Sequence, residues 1–416
     1  MPISSLLRKR SAFCPHCYST VQLSNLGYQC AGQPASGRRS CVPFRDPQRD
    51  EVLKDAGPVM PPVLRRTSDG RHIIDDLGRP LLETGPIGKS VECDRCGGRT
   101  AISICTNCHS LLPEEMTGGG VSIGIVGARN SGKTVWLTML EQQLLTRLPG
   151  RFHSAIDHPG GTVGLAGQLV ENRNRMEEHS ALPEQTQSTG GQKKTPSVYR
   201  WKYINGGARV ISIYDTAGED VANLQSAINQ QHLRSSNAIV LVLDPFMFPE
   251  NRRTAQTKGI SDLGPENAHA DVIDGLVTVL RQSEQGRGTS GKQGKISTPL
   301  AVVVTKMDAF WQGLDEHSPL RSHGQDESYF DDIDSRTMHD HLLSLIDRWG
   351  GSTLINKLQT EFATFRLFGV SALGNEPDYS HARLASTLSP SRVADPLLWV
   401  LQNEGFLPKP PKSTER

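Results

Sequence analysis

Two groups of residues in this 416-residue chain have the types and spacing to do chemistry: eight cysteines, all between positions 14 and 108, and an octapeptide, Gly127-Ala128-Arg129-Asn130-Ser131-Gly132-Lys133-Thr134. The octapeptide has the spacing G-x-x-x-x-G-K-[ST]. It follows an apolar run, Val121–Val126, and opens a helical stretch, VWLTMLEQQLLTRL. In that context the glycines let backbone N–H groups curl around phosphates, and the helix start adds positive potential. Lys133 then reaches the outer phosphates of a nucleoside triphosphate, and the Thr134 hydroxyl ligates Mg²⁺. Gly127, Asn130, Ser131, Gly132 and Val135 complete the phosphate side.

Three further motifs each end an apolar run. Asp215-Thr216-Ala217-Gly218 places a carboxylate where it can hold the Mg²⁺ shell, and a glycine whose N–H can meet the terminal phosphate. Thr305-Lys306-Met307-Asp308 offers an acid that accepts from both N1–H and the exocyclic amine of guanine, a donor pair that adenine lacks. The Lys306 stem would lie along the base. Ser371-Ala372-Leu373 can present a backbone N–H to the guanine O6. Singly these motifs are weak; their order makes the set specific.

The cysteines stand at 14, 17, 30, 41, 93, 96, 105 and 108. C-x-x-C spacing in an intracellular setting favours metal over disulfides. Taken by nearness in sequence, Cys14, Cys17, Cys30 and Cys41 form one set, and Cys93, Cys96, Cys105 and Cys108 a second. Each would be a Cys₄ structural zinc site with no open position. Pairing across the two sets and an iron–sulfur cluster are the minor alternatives. His16 and His109 are read as exposed loop residues rather than ligands.

The elements that must position these groups follow from hydrophobic periodicity. Runs at Val121–Val126, Val198–Ile204, Arg209–Tyr214, Ala238–Leu243, Leu300–Val304 and Phe365–Val370 alternate with amphipathic stretches, the pattern of an α/β fold with a mostly parallel six-stranded sheet. Asn205-Gly206-Gly207 marks a hairpin between the second and third runs. Helices are expected after Lys133, Asp220, Ala270, Thr337 and Arg392, with Leu276, Val279, Leu280, Leu398 and Trp399 as core. Ligands of such sheets bind at the carboxyl ends of strands, where all four motifs fall.

Leu148–Lys194, Phe246–Ala268 and Gly286–Lys295 are polar stretches read as surface insertions. Asp331, Asp332 and Asp334 read as a solvated helix start, with His339 and His341 exposed on that helix. The expected organisation is a zinc-ribbon-like module over 1–45, a connector over 46–89 and a Cys₄ knuckle over 90–112. A nucleotide domain follows over 119–405 and a tail over 406–416. Lys+Arg 45 against Asp+Glu 44 gives a net charge of +1, so no global field draws nucleic acid or a membrane. No secretory signal is evident, and a soluble cytoplasmic protein is expected. Protein contact through the ribbons is favoured over nucleic acid.

The four nucleotide motifs resemble the translation-factor-like class of P-loop GTPases, which includes Ras-like and Era-like proteins, over residues 121–403. That resemblance implies a Mg²⁺-dependent switch that binds GTP or GDP, with two mobile loops ordering around the γ-phosphate. It also implies protein partners at those loops. The cysteine modules and Arg392–Trp399 further resemble bacterial double-GTPase-type proteins of signalling or conflict systems. The first switch loop of the class carries a Mg²⁺-binding threonine about twenty residues ahead of the DxxG aspartate, which points to Thr195, with Thr162, Thr186 and Thr189 as rivals. Lys133, Thr195, Gly218 and Glu219 are the expected catalytic positions.

Four departures from the pattern matter. Glu219 stands where Ras-like members orient water with glutamine, so slow hydrolysis is expected, and with it an alternative role as a GTP-binding scaffold with negligible turnover. Asn130 matches the asparagine that potassium-stimulated members use to hold K⁺. Arg129 occupies a frequent glycine position and is read as pointing outward. Thr305 replaces the asparagine of NKxD, where it can still tie this loop to the P-loop. A zinc-ribbon nucleic-acid-binding protein regulated by nucleotide is the remaining alternative.

Overall fold

Backbone pairing between segments far apart in the chain organises the cysteine-rich part. The computed structural model describes residues 11–53, 57–159, 164–183, 196–222, 230–260, 263–265, 268–287, 294–322, 324, 326–408 and 410. It divides into two units, the first comprising residues 1–120 with 198–201 and 206–210, the second the remainder.

The first unit holds β1 (Ser11–Phe13), β2 (Thr20–Gln22), β3 (Leu26–Tyr28), β4 (Thr84–Gly85), β5 (Val91–Glu92), β6 (Arg99–Thr100) and β7 (Ser103–Ile104). β3 is the middle of a three-stranded sheet, antiparallel to β4 through Leu26↔Gly85 and to β7 through Gly27↔Ile104. Strands of two or three residues cannot stand alone. Here they are backed by two small apolar clusters that include the cysteines. Val21, Leu23, Leu26, Leu112 and Met116 surround Cys14, Cys17, Cys105 and Cys108. Tyr28, Val63 and Val91 surround Cys30, Cys93 and Cys96.

The larger sheet has seven strands, not the expected six: β8 (Gly120–Gly127), β9 (Ser154–Asp157), β10 (Ser197–Tyr203), β11 (Ala208–Ala217), β12 (Ala238–Leu243), β13 (Leu300–Val304) and β14 (Phe365–Gly369), in the order β14-β13-β12-β8-β11-β10-β9. β9 escapes a sequence reading because it buries only Ile156 and lies in a polar segment. β12 and β13 are buried at every position. Strands apolar on both faces need cover on both, the condition of a parallel sheet. β8, β12, β13 and β14 are parallel, with Val240↔Ile125, Leu241↔Val302 and Val302↔Leu367 in register. β10 and β11 are neighbours joined by Ile204–Gly207 alone. That link is too short for a crossover, so the pair is antiparallel.

The helices Lys133–Arg151, Ala268–Arg287, Asp332–Arg348 and Asp395–Asn403 occur where periodicity places them. The 15-residue helix Leu165–His179 lies in the stretch read as an insertion; its buried stripe is only Ala166, Leu169 and Met176, too narrow to stand out among polar residues. Trp136 is fully buried and its indole N–H donates to Val393 O at 3.0 Å. Truncating it to alanine would cost about 3–5 kcal/mol.

Asp331 caps its helix, accepting from Ile333 N at 2.9 Å and Asp334 N at 3.0 Å. His339 is not an exposed helix position. Its Nδ1 accepts the Leu367 N–H of β14 at 3.0 Å, and burial lowers its pKa. Among the described residues no helix is long and apolar enough to cross a membrane.

His269 is buried, with Nε2 3.2 Å from Asp244 N and 3.1 Å from Asp244 O. Burial draws its pKa below the usual imidazole value. Between the two values the unfolded chain binds one more proton than the folded one. Stability from this residue is therefore lost as pH falls below about 6.5, by up to about 1.4 kcal/mol per pH unit. Urea unfolding of the native chain should weaken more between pH 7 and 5.5 than that of His269→Gln. Identical pH dependence in the two proteins would show that His269 carries no such linkage.

Candidate functional site

The P-loop leaves β8 at Gly127 and turns into the helix Lys133–Arg151 through Gly132, whose φ of 78° is left-handed. Asn130 is also left-handed, at φ 63°, a conformation asparagine tolerates. At Gly218 a Cβ would stand 2.5 Å from Gly127 O and 2.8 Å from Ala128 Cα, so only glycine lets the end of β11 lie against the P-loop backbone. Across this contact Lys133 Nζ meets Asp215 Oδ1 at 2.7 Å and also donates to Thr216 O. Both side chains of the ion pair are buried. The Ser131 hydroxyl is buried with no hydrogen-bond partner among the described residues.

These residues line a cavity of about 480 Å³, within the usual range for small-ligand sites. Gly127–Val135 form one wall with Ala217, Gly218 and Glu219; Glu219 and Arg129 are exposed there. Lys306 lines the same cavity. Its Nζ donates to Asn130 O at 2.9 Å and Asp244 Oδ2 at 2.7 Å, and lies 5.7 Å from the Phe246 ring centroid. Thr305 Oγ1 donates to Ser131 O at 2.6 Å, fastening this loop to the P-loop. Ser371 Oγ donates to Asp308 Oδ1 at 2.7 Å; burial pushes the Asp308 carboxyl up, and this hydrogen bond opposes it.

Of the expected positions, Gly127, Asn130, Ser131, Gly132, Lys133, Thr134, Val135, Gly218, Glu219 and Lys306 line the cavity. Asp215 joins through Lys133, and Thr305 through Ser131. Asp308, Ser371, Ala372 and Leu373 are not on its wall. Thr195, with Thr162, Thr186 and Thr189, lies outside the described residues. The sequence reading missed Asp244, which is 1% exposed, caps the following turn at Phe246 N and holds Lys306. Its signal was present: an acid directly after an apolar strand, as at Asp215. It also missed the wall formed by Leu182, Ile260, Tyr379 and Ala382.

The cysteines form two sets of four, but not by nearness in sequence. Cys14 and Cys17 converge with Cys105 and Cys108, and Cys30 and Cys41 with Cys93 and Cys96. The reason is the β3 pairing with β7, which lays the N-terminal knuckle beside the last one. The windows 1–45 and 90–112 therefore do not make separate metal modules. Three knuckles share one geometry: Tyr18 N donates to Cys14 O, Gly97 N to Cys93 O and His109 N to Cys105 O. The three donors are left-handed, at φ 63°, 67° and 54°.

Sulfur–sulfur distances across the sets are 3.7 Å for Cys14–Cys108 and Cys17–Cys105, 3.6 Å for Cys30–Cys96 and 3.8 Å for Cys41–Cys93. Four thiolates at about 2.3 Å from a tetrahedral zinc stand about 3.8 Å apart, so both donor sets fit zinc. His16 and His109 belong to neither set, yet they are not exposed loop residues. The His109 Nδ1 lies 2.8 Å from Asp46 Oδ2, and burial, chiefly, lowers the His16 pKa to about 4.

No protein-family model matches the chain. A curated relative from Mycolicibacterium smegmatis, the "Putative ESX-1 scaffolding and assembly protein SaeC", is 26% identical over 351 residues, covering 78% of this chain and 85% of that one. Solved structures that overlap this chain include a small GTPase and a GTPase-like domain. The Arl6 small GTPase of Trypanosoma brucei gives a TM-score of 0.28 at 11% identity, covering 70% of this chain and 99% of that one. The GTP-bound Ski7 GTPase-like domain of S. cerevisiae gives 0.33 at 13%, covering 71% and 52%. Era of Aquifex aeolicus gives 0.25 at 13%, covering 70% and 58%. At TM-scores this low the overlaps establish nothing about this chain.

Purified chain should carry two zinc ions. The double variant Cys14→Ser/Cys108→Ser should keep one, because both substitutions fall in one set; metal analysis reading none would mean each site draws on both residues' neighbours in sequence. Zinc should also be released as pH falls and the thiolates take up protons.

Proposed function

We propose that this chain is a Mg²⁺-dependent guanine-nucleotide switch that hydrolyses GTP slowly, acts in the cytoplasm and presents its nucleotide state to protein partners. The observation that carries the reading is the Lys133–Asp215 pair at 2.7 Å, beside a P-loop sharing one cavity with Lys306. A phosphate-binding lysine, a metal-binding carboxylate and a base-side lysine are thereby within reach of one nucleotide. The Ser131 hydroxyl, without a hydrogen-bond partner among the described residues, and the glycine-only approach of Gly218 fit a phosphate chain lying along this backbone. Asp308, two residues beyond Lys306, is the guanine acceptor.

In this reading loop amides and Lys133 hold the phosphates, and the Gly218 N–H meets the γ-phosphate. Thr134, Asp215 and Thr195 would hold Mg²⁺, which when bound neutralises phosphate charge. Glu219 is exposed on the cavity wall, where its carboxylate can hold water but repels the γ-phosphate. That repulsion makes turnover slow. A K⁺ ion beside Asn130 would supply compensating charge. The two Cys₄ sets would hold zinc as structural ions, shaping a module for partner contact. The likeness to a putative scaffolding and assembly protein supports partners that are proteins, in assembly, signalling or defence. Together with Glu219, it also favours a second reading, a GTP-loaded scaffold with negligible turnover.

Purified protein should bind GTP in preference to ATP, and Lys133→Ala should weaken binding at least about tenfold. Asp308→Asn replaces an acceptor facing two donors by an amide that also donates. It should lower GTP affinity about a hundredfold and favour xanthosine triphosphate, whose 2-oxo group accepts. An ATP preference, or Asp308→Asn binding GTP normally, would defeat the guanine reading. Phosphate release, measured in K⁺ and in Na⁺, separates a slow enzyme from a silent scaffold. Equal rates in the two salts would dispose of the potassium site.

A further inference from the structure

The cavity wall also takes in three segments remote in sequence from the P-loop and from one another: Leu182 and Pro183, Gly259 and Ile260, and Tyr379 with Ala382. All lie outside the strands and the four nucleotide motifs. Their side chains are apolar or aromatic, a surface suited to the flat face of a heteroaromatic ring and unsuited to phosphate.

Among the described residues, a small set of bonds fastens the three together. Leu182 N–H donates to Ala382 O and Leu384 N–H to Ser180 O, both at 2.9 Å, making Ala181 and Arg383 an antiparallel bridge pair. Lys258 Nζ pairs with Glu376 Oε2 at 2.6 Å, joining the Gly259 segment to the Tyr379 segment. Tyr379 packs edge-on to Phe246, with ring centroids 5.9 Å apart. Asp378 and Arg383 exchange two backbone hydrogen bonds and close the third segment into a tight loop.

The residues ahead of each bridge member are left-handed, Ser180 as the C-cap of the helix Leu165–His179 and Ala382 within its loop. Ser180 has φ 52° and Ala382 φ 51°. Non-glycine residues rarely hold that conformation unless their surroundings impose it, and such strain gathers at ligand clamps and switch regions. Ile260 and Tyr379 are anchored on the apolar cluster of Phe246, Ala255 and Leu263, whereas among the described residues the Leu182 segment meets the Tyr379 segment through two backbone hydrogen bonds beside left-handed backbone, a contact of the kind that opens most readily.

We infer that these three segments form a clamp over the nucleoside and that opening of the Ser180–Leu182/Ala382–Leu384 bridge sets the rate of nucleotide release. The inference rests on the nucleotide reading above. A purine against Leu182 and Ala382 keeps both contacts only while the bridge stays paired, so release follows its opening. The four motifs select the base; this clamp, built from segments outside them, decides how long it stays.

The test is dissociation of fluorescent GDP from the zinc-loaded full chain, using Ala181→Cys/Arg383→Cys. In a bridge pair of this kind the Cα atoms lie about 4.5 Å apart, within reach of a disulfide. The oxidised variant should release nucleotide at least about tenfold more slowly, and reductant should restore the rate. The unsubstituted chain, under the same oxidant, should not change. Leu384→Pro deletes one bridge hydrogen bond without touching the cavity and should speed release roughly fivefold, with Lys258→Ala as a milder second disruption. A cross-link that never forms, or release unchanged in all three variants, overturns the clamp while leaving nucleotide binding intact. Failure of the unsubstituted chain to bind guanine nucleotide overturns the nucleotide reading, and the clamp with it.

Discussion

The cavity beside the P-loop depends on one close approach, that of Gly218 to the backbone of Gly127 and Ala128. A methyl group there would overlap Gly127 O at 2.5 Å. Because none is present, the ends of β8 and β11 lie close enough for Lys133 to reach both Asp215 and Thr216. A buried lysine and a buried carboxylate are costly apart and tolerable together. The pair therefore sets the position of the P-loop relative to the DxxG segment. Lys306 repeats the arrangement between Asn130 O and the buried Asp244.

The cysteine-rich unit solves a different problem. Its strands are too short and its two apolar clusters too small to hold a fold by burial alone. Joining the first knuckle to the last, and the middle cysteines to each other, makes each metal-competent set close a long loop. That is where a cross-link constrains the unfolded chain most. The left-handed residue in each of three knuckles is the local cost of this geometry. Only one of the three positions, Gly97, carries the residue that meets it without strain.

Much was legible in the residues themselves. A phosphate loop needs glycines and a lysine at fixed offsets, so Gly127–Thr134 announces itself. Strands buried on both faces must be continuously apolar, so β12 and β13 are visible in composition alone. Asp331 as a helix cap and the Asn205-Gly206-Gly207 hairpin are equally local, since each depends on a few neighbouring backbone angles. These features were determined by the sequence because their physics acts within a few residues of the chain.

Tertiary structure alone decided the rest. Which cysteines share a site depends on the β3–β7 pairing across some seventy-five residues, and spacing carries no trace of it. β9 and the helix Leu165–His179 bury so few side chains that their periodicity is lost among polar neighbours. His339 looked exposed because its partner, the Leu367 N–H, belongs to a strand 28 residues on. The clamp wall is likewise assembled from three loops whose residues mean nothing singly. In each case the deciding contact joins parts of the chain that only the fold brings together.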